Sequence, residues 1–271
     1  MNLSNPFAIE VDDLVKTYGE VKAVRGVSFS VARGEAFGFL GPNGAGKSTT
    51  INMLCTLARP TSGSARVSGF DIADERDDVR RHIGLVFQDQ TLDLYLTAEQ
   101  NLRMHAELYG IDAGVVPARM RQMLEMVDLW DRRDQPVLTY SGGMRRRLEI
   151  ARGLMHSPRV LFLDEPTVGL DPQTRSSIWE YIRALQRAEG TTIFMTTHYM
   201  DEAEFCDRIA IMDRGEIVAL DTPAALKASV GADRLDDVFM HYTGAAIRDA
   251  ESSSATDLNR VLTRALRGVG R

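Results

Sequence analysis

The sequence predicts an α/β fold in which helices surround a mostly parallel β-sheet. Short apolar runs bounded by turn residues recur at residues 36–40, 160–163, 192–195 and 208–212, with helical patterns between several of them. This alternation is typical of an open, doubly wound sheet whose strands are buried on both faces. Two further features complete the prediction: a β-rich segment precedes the first run, and a helix-rich segment interrupts the series.

The β-rich segment comprises residues 7–18 and 21–31, which are joined through Gly19. Two β-rich runs with so short a connection are expected to pair as antiparallel neighbours. We therefore expect a small antiparallel β layer ahead of the parallel sheet.

The helix-rich segment covers residues 89–157, where strand patterns are absent. Thr97 and Gln100 have the spacing of a capping box, which begins a helix. Farther on, apolar residues follow helical spacing at Met120, Met123, Leu124 and Val127. A methionine-rich face can act as an adaptable binding surface, but packing into the core is the favoured interpretation. The segment is predicted to be a helical subdomain inserted into the sheet domain.

The sheet pattern ends near residue 222, and a short C-terminal extension follows over residues 223–271. Three serines at 252–254 predict a flexible joint. Residues 258–268 form an amphipathic helical pattern with arginines off its apolar face. Such a helix can lie on an anionic membrane or on a partner, but docking on its own domain or on a sister subunit is more common.

The composition excludes several classes of protein. The chain has 271 residues, of which 44% are hydrophobic and 26% charged, as in ordinary globular proteins. Its net charge of -6 argues against nucleic acid as the principal partner. The N-terminus has no signal-peptide pattern, and no apolar run approaches the roughly 18 residues of a membrane span, so we expect a cytosolic chain. Cys55 and Cys206 lack metal-ligand spacing and are expected to be small core residues.

A glycine-rich phosphate loop is the first motif with a chemical function. Residues 41–48 match the pattern, follow the apolar run 36–40 and lead into a helical run. Backbone N–H groups and the helix N-terminus bind phosphate oxygens, Lys47 adds a cation, and Ser48 can ligate Mg²⁺. A nucleoside triphosphate site is therefore predicted at Gly41, Pro42, Asn43, Gly44, Ala45, Gly46, Lys47, Ser48 and Thr49.

Paired carboxylates supply the second half of such a site. Asp164 and Glu165 directly follow the apolar run 160–163. Asp164 is placed to hold the metal through water, and Glu165 to polarise the attacking water as a general base. His198 follows the run 192–195 and is expected at the same carboxyl edge of the sheet.

A second anion-binding element lies at Ser141-Gly142-Gly143, just before a helical run. Ser141 is a good N-cap, and the glycines leave the backbone N–H groups of the helix N-terminus unobstructed. Because Lys47 already lies on the first element, this one is expected to serve another phosphate or another subunit. The arginines at 145–147 are interpreted as a solvated or phosphate-proximal helix face on this acidic chain.

In this order, the motifs resemble those of the ATP-binding subunit of ABC transporters over roughly residues 7–220. The resemblance equates the phosphate loop and Asp164-Glu165 with Walker A and B, and Ser141-Gly142-Gly143 with the signature. It also implies roles for Tyr18 as the adenine-stacking aromatic, Gln88 of the Q-loop, Asp171 of the D-loop and His198 as the switch histidine.

What the resemblance implies for the whole chain is a P-loop NTPase core at residues 1–88 and 158–222, with the helical subdomain at 89–157. Two such domains pack head to tail around two ATP molecules, so that the signature of one contacts the γ-phosphate bound by the other. Glu165, His198 and Gln88 are then the catalytic residues, and Ser48, Gln88 and Asp164 the Mg²⁺ site. A separate membrane permease is the expected partner, which places the protein at the cytoplasmic face of the membrane as a homodimer or a paralogous pair.

Segments 140–147, 197–204 and 235–240 look most similar to the daunorubicin-resistance type, whose relatives export drugs, antibiotics or lipid-like molecules. The sequence departs from the family at Met144, where many members have glutamine, and between about 218 and 235, which is shorter than in some relatives. The alternative is a soluble ATPase of this type acting on DNA or ribosomes, but the chain has neither a long coiled-coil insertion nor tandem cassettes. A phosphate-loop kinase or GTPase would not account for Ser141-Gly142-Gly143, and a non-enzymatic scaffold would be favoured by a missing Lys47 or Glu165.

Overall fold

The computed structural model describes residues 6–244, in which two β-sheets are surrounded by helices. The strands are β1 Phe7–Tyr18, β2 Val21–Ala32, β3 Ala36–Leu40, β4 Ser62–Val67, β5 Phe70–Asp71, β6 Ile83–Val86, β7 Val160–Asp164, β8 Thr192–Thr197, β9 Arg208–Asp213 and β10 Glu216–Asp221. The helices are α1 Lys47–Leu54, α2 Arg76–His82, α3 Ala98–Leu108, α4 Val116–Met126, α5 Gly142–Gly153, α6 Pro172–Glu189, α7 Met200–Ala203, α8 Pro223–Val230 and α9 Leu235–Thr243.

The larger sheet has the strand order β10-β9-β3-β8-β7-β6. All its neighbouring pairs are parallel except the edge pair β9–β10. Strands β3 and β8 are buried along their whole length, as is usual for a strand covered on both faces. The predicted mostly parallel sheet is confirmed, and β6 and β10 are additional strands that the sequence analysis did not identify.

The smaller sheet has the order β2-β1-β4-β5 and is antiparallel throughout. The predicted pair β1–β2 is confirmed, but the layer does not lie only ahead of the phosphate loop, because β4 and β5 follow it in the chain. The two sheets pack together through aromatic rings. Phe29 of β2 lies 5.0 Å from Phe39 and 5.5 Å from Phe37 of β3, measured between ring centroids.

Between β6 and β7 the regular elements are helices α3 to α5 and two short 3₁₀ turns, Trp130–Arg132 and Val137–Thr139. The capping box forms as predicted: Gln100 N–H donates to Thr97 Oγ1 at 3.1 Å, and Thr97 N–H to Gln100 Oε1 at 2.8 Å. The methionine-rich face of α4 is buried in the core, which confirms the packing interpretation.

The C-terminal part of the described chain is helical. Leu235, Val238 and Phe239 of α9 are buried in the same core as the sheet. The serine joint at 252–254 and the amphipathic pattern at 258–268 lie outside the described residues. Within residues 6–244, no helix is both long and apolar enough to cross a membrane. Cys55 and Cys206 are buried with free thiols, as expected of core residues.

Candidate nucleotide-binding and hydrolysis site

The phosphate loop connects the end of β3 at Leu40 to the start of α1 at Lys47. Its last residue before the helix, Gly46, has φ 106°, in the left-handed region that favours glycine. A Cβ atom at Gly46 would lie 2.5 Å from the Ala23 carbonyl oxygen, so the loop needs glycine for close packing as well as for conformation. The loop therefore presents backbone N–H groups at the helix N-terminus, where anions bind.

Lys47 is buried beneath this loop. Its Nζ donates to the carbonyl oxygens of Gly41 at 2.8 Å and Pro42 at 3.2 Å, and lies 3.4 Å from Glu165 Oε1. Burial lowers the pKa of Lys47, and the neighbouring Glu165 opposes that shift. The structure thus places Lys47, the predicted cation of the phosphate loop, in contact with Glu165, the predicted general base.

Asp164, at the end of β7, is joined to the phosphate loop. Its Oδ1 accepts hydrogen bonds from Ser48 Oγ at 3.1 Å and Thr196 Oγ1 at 2.5 Å. Thr196 in turn accepts from the Glu165 N–H at 3.0 Å, so it orders both carboxylate residues. The hydroxyl of Ser48, the carboxylate of Asp164 and the amide of Gln88 are hard oxygen donors of the kind that Mg²⁺ prefers, so these residues fit that ion.

Glu165 occupies the centre of the site with only 7% of its surface exposed. Its Oε2 lies 3.4 Å from His198 Nδ1, but the two groups are not aligned for a hydrogen bond. Its Oε1 lies 3.4 Å from Lys47 Nζ. Burial alone raises the pKa of Glu165, but the contacts with His198 and Lys47 outweigh it and bring the pKa below its ordinary value. The carboxyl group is therefore ionised at neutral pH.

These side chains surround a cavity of about 850 Å³, which is within the range of small-molecule sites. Its lining includes Gln88, Glu165, His198 and the phosphate loop at Asn43, Gly44, Gly46, Lys47, Ser48 and Thr49. Gly41, Pro42, Ala45 and Asp164 are not part of the lining. Tyr18 is also outside it: this half-exposed ring lies at the end of β1, with Lys16 Nζ 4.7 Å from its centroid.

The signature residues lie away from this cavity. Ser141 caps α5 as predicted, its Oγ accepting from the Met144 N–H at 3.2 Å, and both Ser141 and Gly142 are exposed. Gly143 packs against Thr174 of α6, whose N-cap is Asp171. Asp171 accepts from the Thr174 N–H at 3.0 Å. Gly143 and Asp171 thus both contact Thr174, and neither lines the cavity of its own chain.

The interpretation of the arginine run as a solvated or phosphate-proximal face is wrong for Arg146. This side chain is 7% exposed and donates to backbone carbonyl oxygens of Phe87 at 2.6 Å and Glu165 at 3.2 Å. A run of three charged residues gives no sign of which one is buried, because burial depends on the elements that pack around the helix.

Other residues of the site were also missed by sequence reasoning, among them Thr196, Arg175 and Tyr199. Thr196 has no motif of its own, although it lies two residues before His198. Arg175 and Tyr199 line the cavity, with the guanidinium carbon 4.2 Å from the ring centroid, a cation–π distance. The position of Tyr199 directly after His198 was the one available signal.

This arrangement defines the class of P-loop nucleoside triphosphatases: a phosphate loop with a buried lysine faces Asp164 and Glu165 at the edge of a parallel sheet. Within that class, the family model for the ABC transporter matches residues 24–168, and the chain belongs to this family. It is an ATP-binding cassette with ATPase activity, and the predicted family, fold class and enzyme class are confirmed.

Several known proteins are similar over most of the chain. The daunorubicin/doxorubicin resistance ATP-binding protein DrrA of Streptomyces peucetius is 47% identical over 236 residues, covering 87% of this chain and 71% of that protein. The linearmycin resistance ATP-binding protein LnrL of Bacillus subtilis (strain 168) is 43% identical, with 84% and 73% covered. Among solved structures, a dimeric post-hydrolysis state of the cassette MJ0796 bound to ADP and Pi is 29% identical, with a TM-score of 0.71 over 79% of this chain and 98% of that one.

Proposed function

We propose that this cassette dimerises around two ATP molecules and drives a separate membrane permease that exports a drug, an antibiotic or a lipid-like molecule. One observation carries the dimer: Ser141 and Gly142 are exposed at a helix N-terminus, yet lie outside the cavity that holds Lys47. In a head-to-tail dimer, these N–H groups contact the γ-phosphate of the ATP that is bound by the second chain. The proposed cargo class rests on the similarity to the daunorubicin/doxorubicin and linearmycin resistance proteins.

The proposed nucleotide site combines the phosphate loop with an aromatic ring at the end of β1. The loop N–H groups and Lys47 bind the β- and γ-phosphates, Thr49 contributes at the start of α1, and Tyr18 stacks on the adenine. Ser48, Asp164 and Gln88 hold Mg²⁺, which neutralises phosphate charge when bound. In this arrangement Lys47 exchanges its carbonyl contacts for phosphate oxygens.

Glu165 is the proposed general base. Its ionised carboxylate accepts a proton from water while the water oxygen attacks the γ-phosphorus, and the bond from phosphorus to the β–γ bridging oxygen breaks with its electron pair leaving on ADP. His198, 3.4 Å from Glu165 Oε2, orients the carboxylate. Loss of the γ-phosphate removes the contacts of the partner's signature, which releases the dimer.

The helical segment 89–157 is proposed to act as a subdomain that carries the signature, and residues 223–271 as an extension of the core. Gln88, at the junction of core and subdomain, is proposed to pass the closing motion to the permease. This arrangement places the cassette as a peripheral subunit at the cytoplasmic face of the membrane.

Replacement of the general base tests the proposal directly. We expect Glu165→Gln to slow ATP hydrolysis by about 10²- to 10⁴-fold, because an amide cannot accept the proton. ATP binding should be retained, since the loop and Lys47 are unchanged. The measurements are phosphate release and equilibrium binding of ATP. The control is Glu180→Gln on the exposed side of α6, which should behave as wild type. Normal turnover by Glu165→Gln would refute the assignment.

A further inference from the structure

A buried ion pair lies in the second turn of α5, just after the signature residues with which this helix begins. Arg146 Nη1 and Glu149 Oε2 are 3.0 Å apart, and their side chains are 7% and 1% exposed. Burial of two charges is strongly unfavourable unless further hydrogen bonds compensate for the lost hydration. The partners of this pair are therefore informative about what it holds in place.

On one side, Arg146 binds the backbone around the proposed general base. Its guanidinium donates to the carbonyl oxygens of Asp164 at 3.3 Å, Glu165 at 3.2 Å and Pro166. Glu165 itself has φ 46°, a left-handed conformation that is unfavourable for a residue with a side chain. The planar guanidinium thus fixes three consecutive carbonyl groups where the backbone turns sharply.

On the other side, the pair holds both ends of the segment that contains Gln88. Arg146 Nη1 donates to the Phe87 carbonyl oxygen at 2.6 Å, and Glu149 Oε1 accepts from the Thr91 N–H at 2.7 Å. Gln88 lies between these two anchors and lines the same cavity as Glu165.

We propose that Arg146 and Glu149 form a positioning pair, which sets the Gln88 segment against the Glu165 turn and ties both to the helix that begins with the signature. When the N-terminus of α5 engages the partner's nucleotide, a shift of the helix then moves Gln88 and Glu165 together. The inference rests on the proposed roles of Gln88, Glu165 and the signature. It adds a physical link between the two nucleotide sites of the dimer.

The test uses the full chain and removes both charges at once. Arg146→Met with Glu149→Leu replaces the pair by apolar side chains of similar size, an exchange that preserves folding in other proteins. We expect a folded protein with ATP affinity within about twofold of wild type, because neither residue touches the phosphate loop. The kcat should fall by about 10- to 100-fold, as for a small misplacement of reacting groups. Amide hydrogen exchange in residues 87–91 should accelerate.

Two single variants and a control sharpen the result. Arg146→Lys keeps the charge but lacks the planar fork, so its kcat should be as low as that of the double variant. Glu149→Gln keeps an acceptor for the Thr91 N–H, so its loss should be smaller, and it carries the test if the double variant does not fold. Arg147→Gln is the control: Arg147 is the next residue, but donates to the Val127 carbonyl oxygen at 2.9 Å, and wild-type values are expected.

A folded double variant with wild-type kcat would overturn the inference, as would full activity of Arg146→Lys. An equal loss of ATP affinity and kcat, or a reduced kcat with unchanged exchange in residues 87–91, would also contradict a positioning role. Glu165→Gln measured alongside separates this inference from the proposed function. If Glu165→Gln abolishes hydrolysis while the pair variants do not, the positioning pair alone fails; if Glu165→Gln is active, the proposed function fails.

Discussion

Glu202 is a carboxyl group buried beside the site, with 2% of its surface exposed. The hydroxyl groups of Thr167 and Thr197 donate to its two oxygens. It therefore connects the segment that follows Glu165 to the residue that precedes His198. Burial raises the pKa of Glu202 to about 7, although the hydrogen bond from Thr197 acts in the opposite direction.

This raised pKa predicts a pH-dependent stability. Between the ordinary value of 4.5 and about 7, folded Glu202 retains a proton that the unfolded chain releases, so the free energy of unfolding decreases as pH rises. The loss is about 1.4 kcal/mol per pH unit, up to roughly 3 kcal/mol. Glu202→Gln mimics the protonated form and does not titrate. Its free energy of unfolding, measured by urea unfolding, should therefore rise relative to that of wild type by roughly 3 kcal/mol between about pH 5 and pH 8.

Comparison with wild type at each pH cancels the other titrating groups. Glu216→Gln is the control, because it removes an exposed carboxyl group that is not among the charges acting on Glu202 and should not change the difference. If Glu202→Gln and wild type lose stability in parallel as pH rises, the folded carboxyl group is already ionised and the prediction is wrong.

Arg146 shows why some site residues could not be predicted. The sequence places Leu148, Ala151 and Leu154 on one apolar face of α5, which suggests that the other faces are exposed. In the structure α5 lies against α3, α4 and β6, so Arg146 and Glu149 are buried as well. The helical periodicity of one chain segment does not reveal how many neighbours surround it.

At the scale of elements, the strands β3, β7, β8 and β9 could be predicted because they are continuous apolar runs between turn residues, whereas the four-residue strand β6 was missed. The strand β4 could not be predicted, since only Ala65 and Val67 are buried among exposed serine, glycine and arginine. It is held by its pairing with β1, from Ile9 opposite Val67 to Val15 opposite Ser62. The strand β10 is half-exposed along the sheet edge and was missed for the same reason.

The start of α5 carries an element-scale prediction. Ser141→Arg should abolish hydrolysis while the affinity of the monomer for ATP stays unchanged, because Ser141 is exposed and lies outside its own cavity. Loss of the cap should also lower the free energy of unfolding by about 1 kcal/mol. Phosphate release, ATP binding and urea unfolding measure the three effects.

A second helix cap provides the matched control. Thr222 caps α8, its Oγ1 accepting from the Ala225 N–H at 3.1 Å, and α8 contributes nothing to the cavity lining. Thr222→Arg should lower stability by a similar amount and leave hydrolysis unchanged. A fall in ATP affinity of monomeric Ser141→Arg would place the signature in the site of its own chain and contradict the prediction.

At the scale of the whole molecule, the order of the motifs predicted the fold, since loop, carboxylates and histidine all follow strands of one parallel sheet. The motifs predicted Gln88, Glu165 and His198 of the cavity lining but not Arg175 or Tyr199, and the predicted Tyr18 lies outside the lining. The quaternary arrangement depends on a second chain. The similar cassette MJ0796 is dimeric in its solved structure, which makes dimerisation of this chain a specific expectation.

The last prediction concerns that assembly. Purified Glu165→Gln should be a monomer of 30.1 kDa without nucleotide and should double its mass when ATP and Mg²⁺ are added, as measured by light scattering. The variant retains the γ-phosphate, and two copies of that phosphate join the loop of one chain to the signature of the other. ADP should leave it monomeric, and so should the addition of Ser141→Arg to the same chain, because each removes one side of the contact. If Glu165→Gln binds ATP but stays monomeric, two copies of this chain do not form the sandwich by themselves, and a paralogous cassette or the permease must supply what is missing.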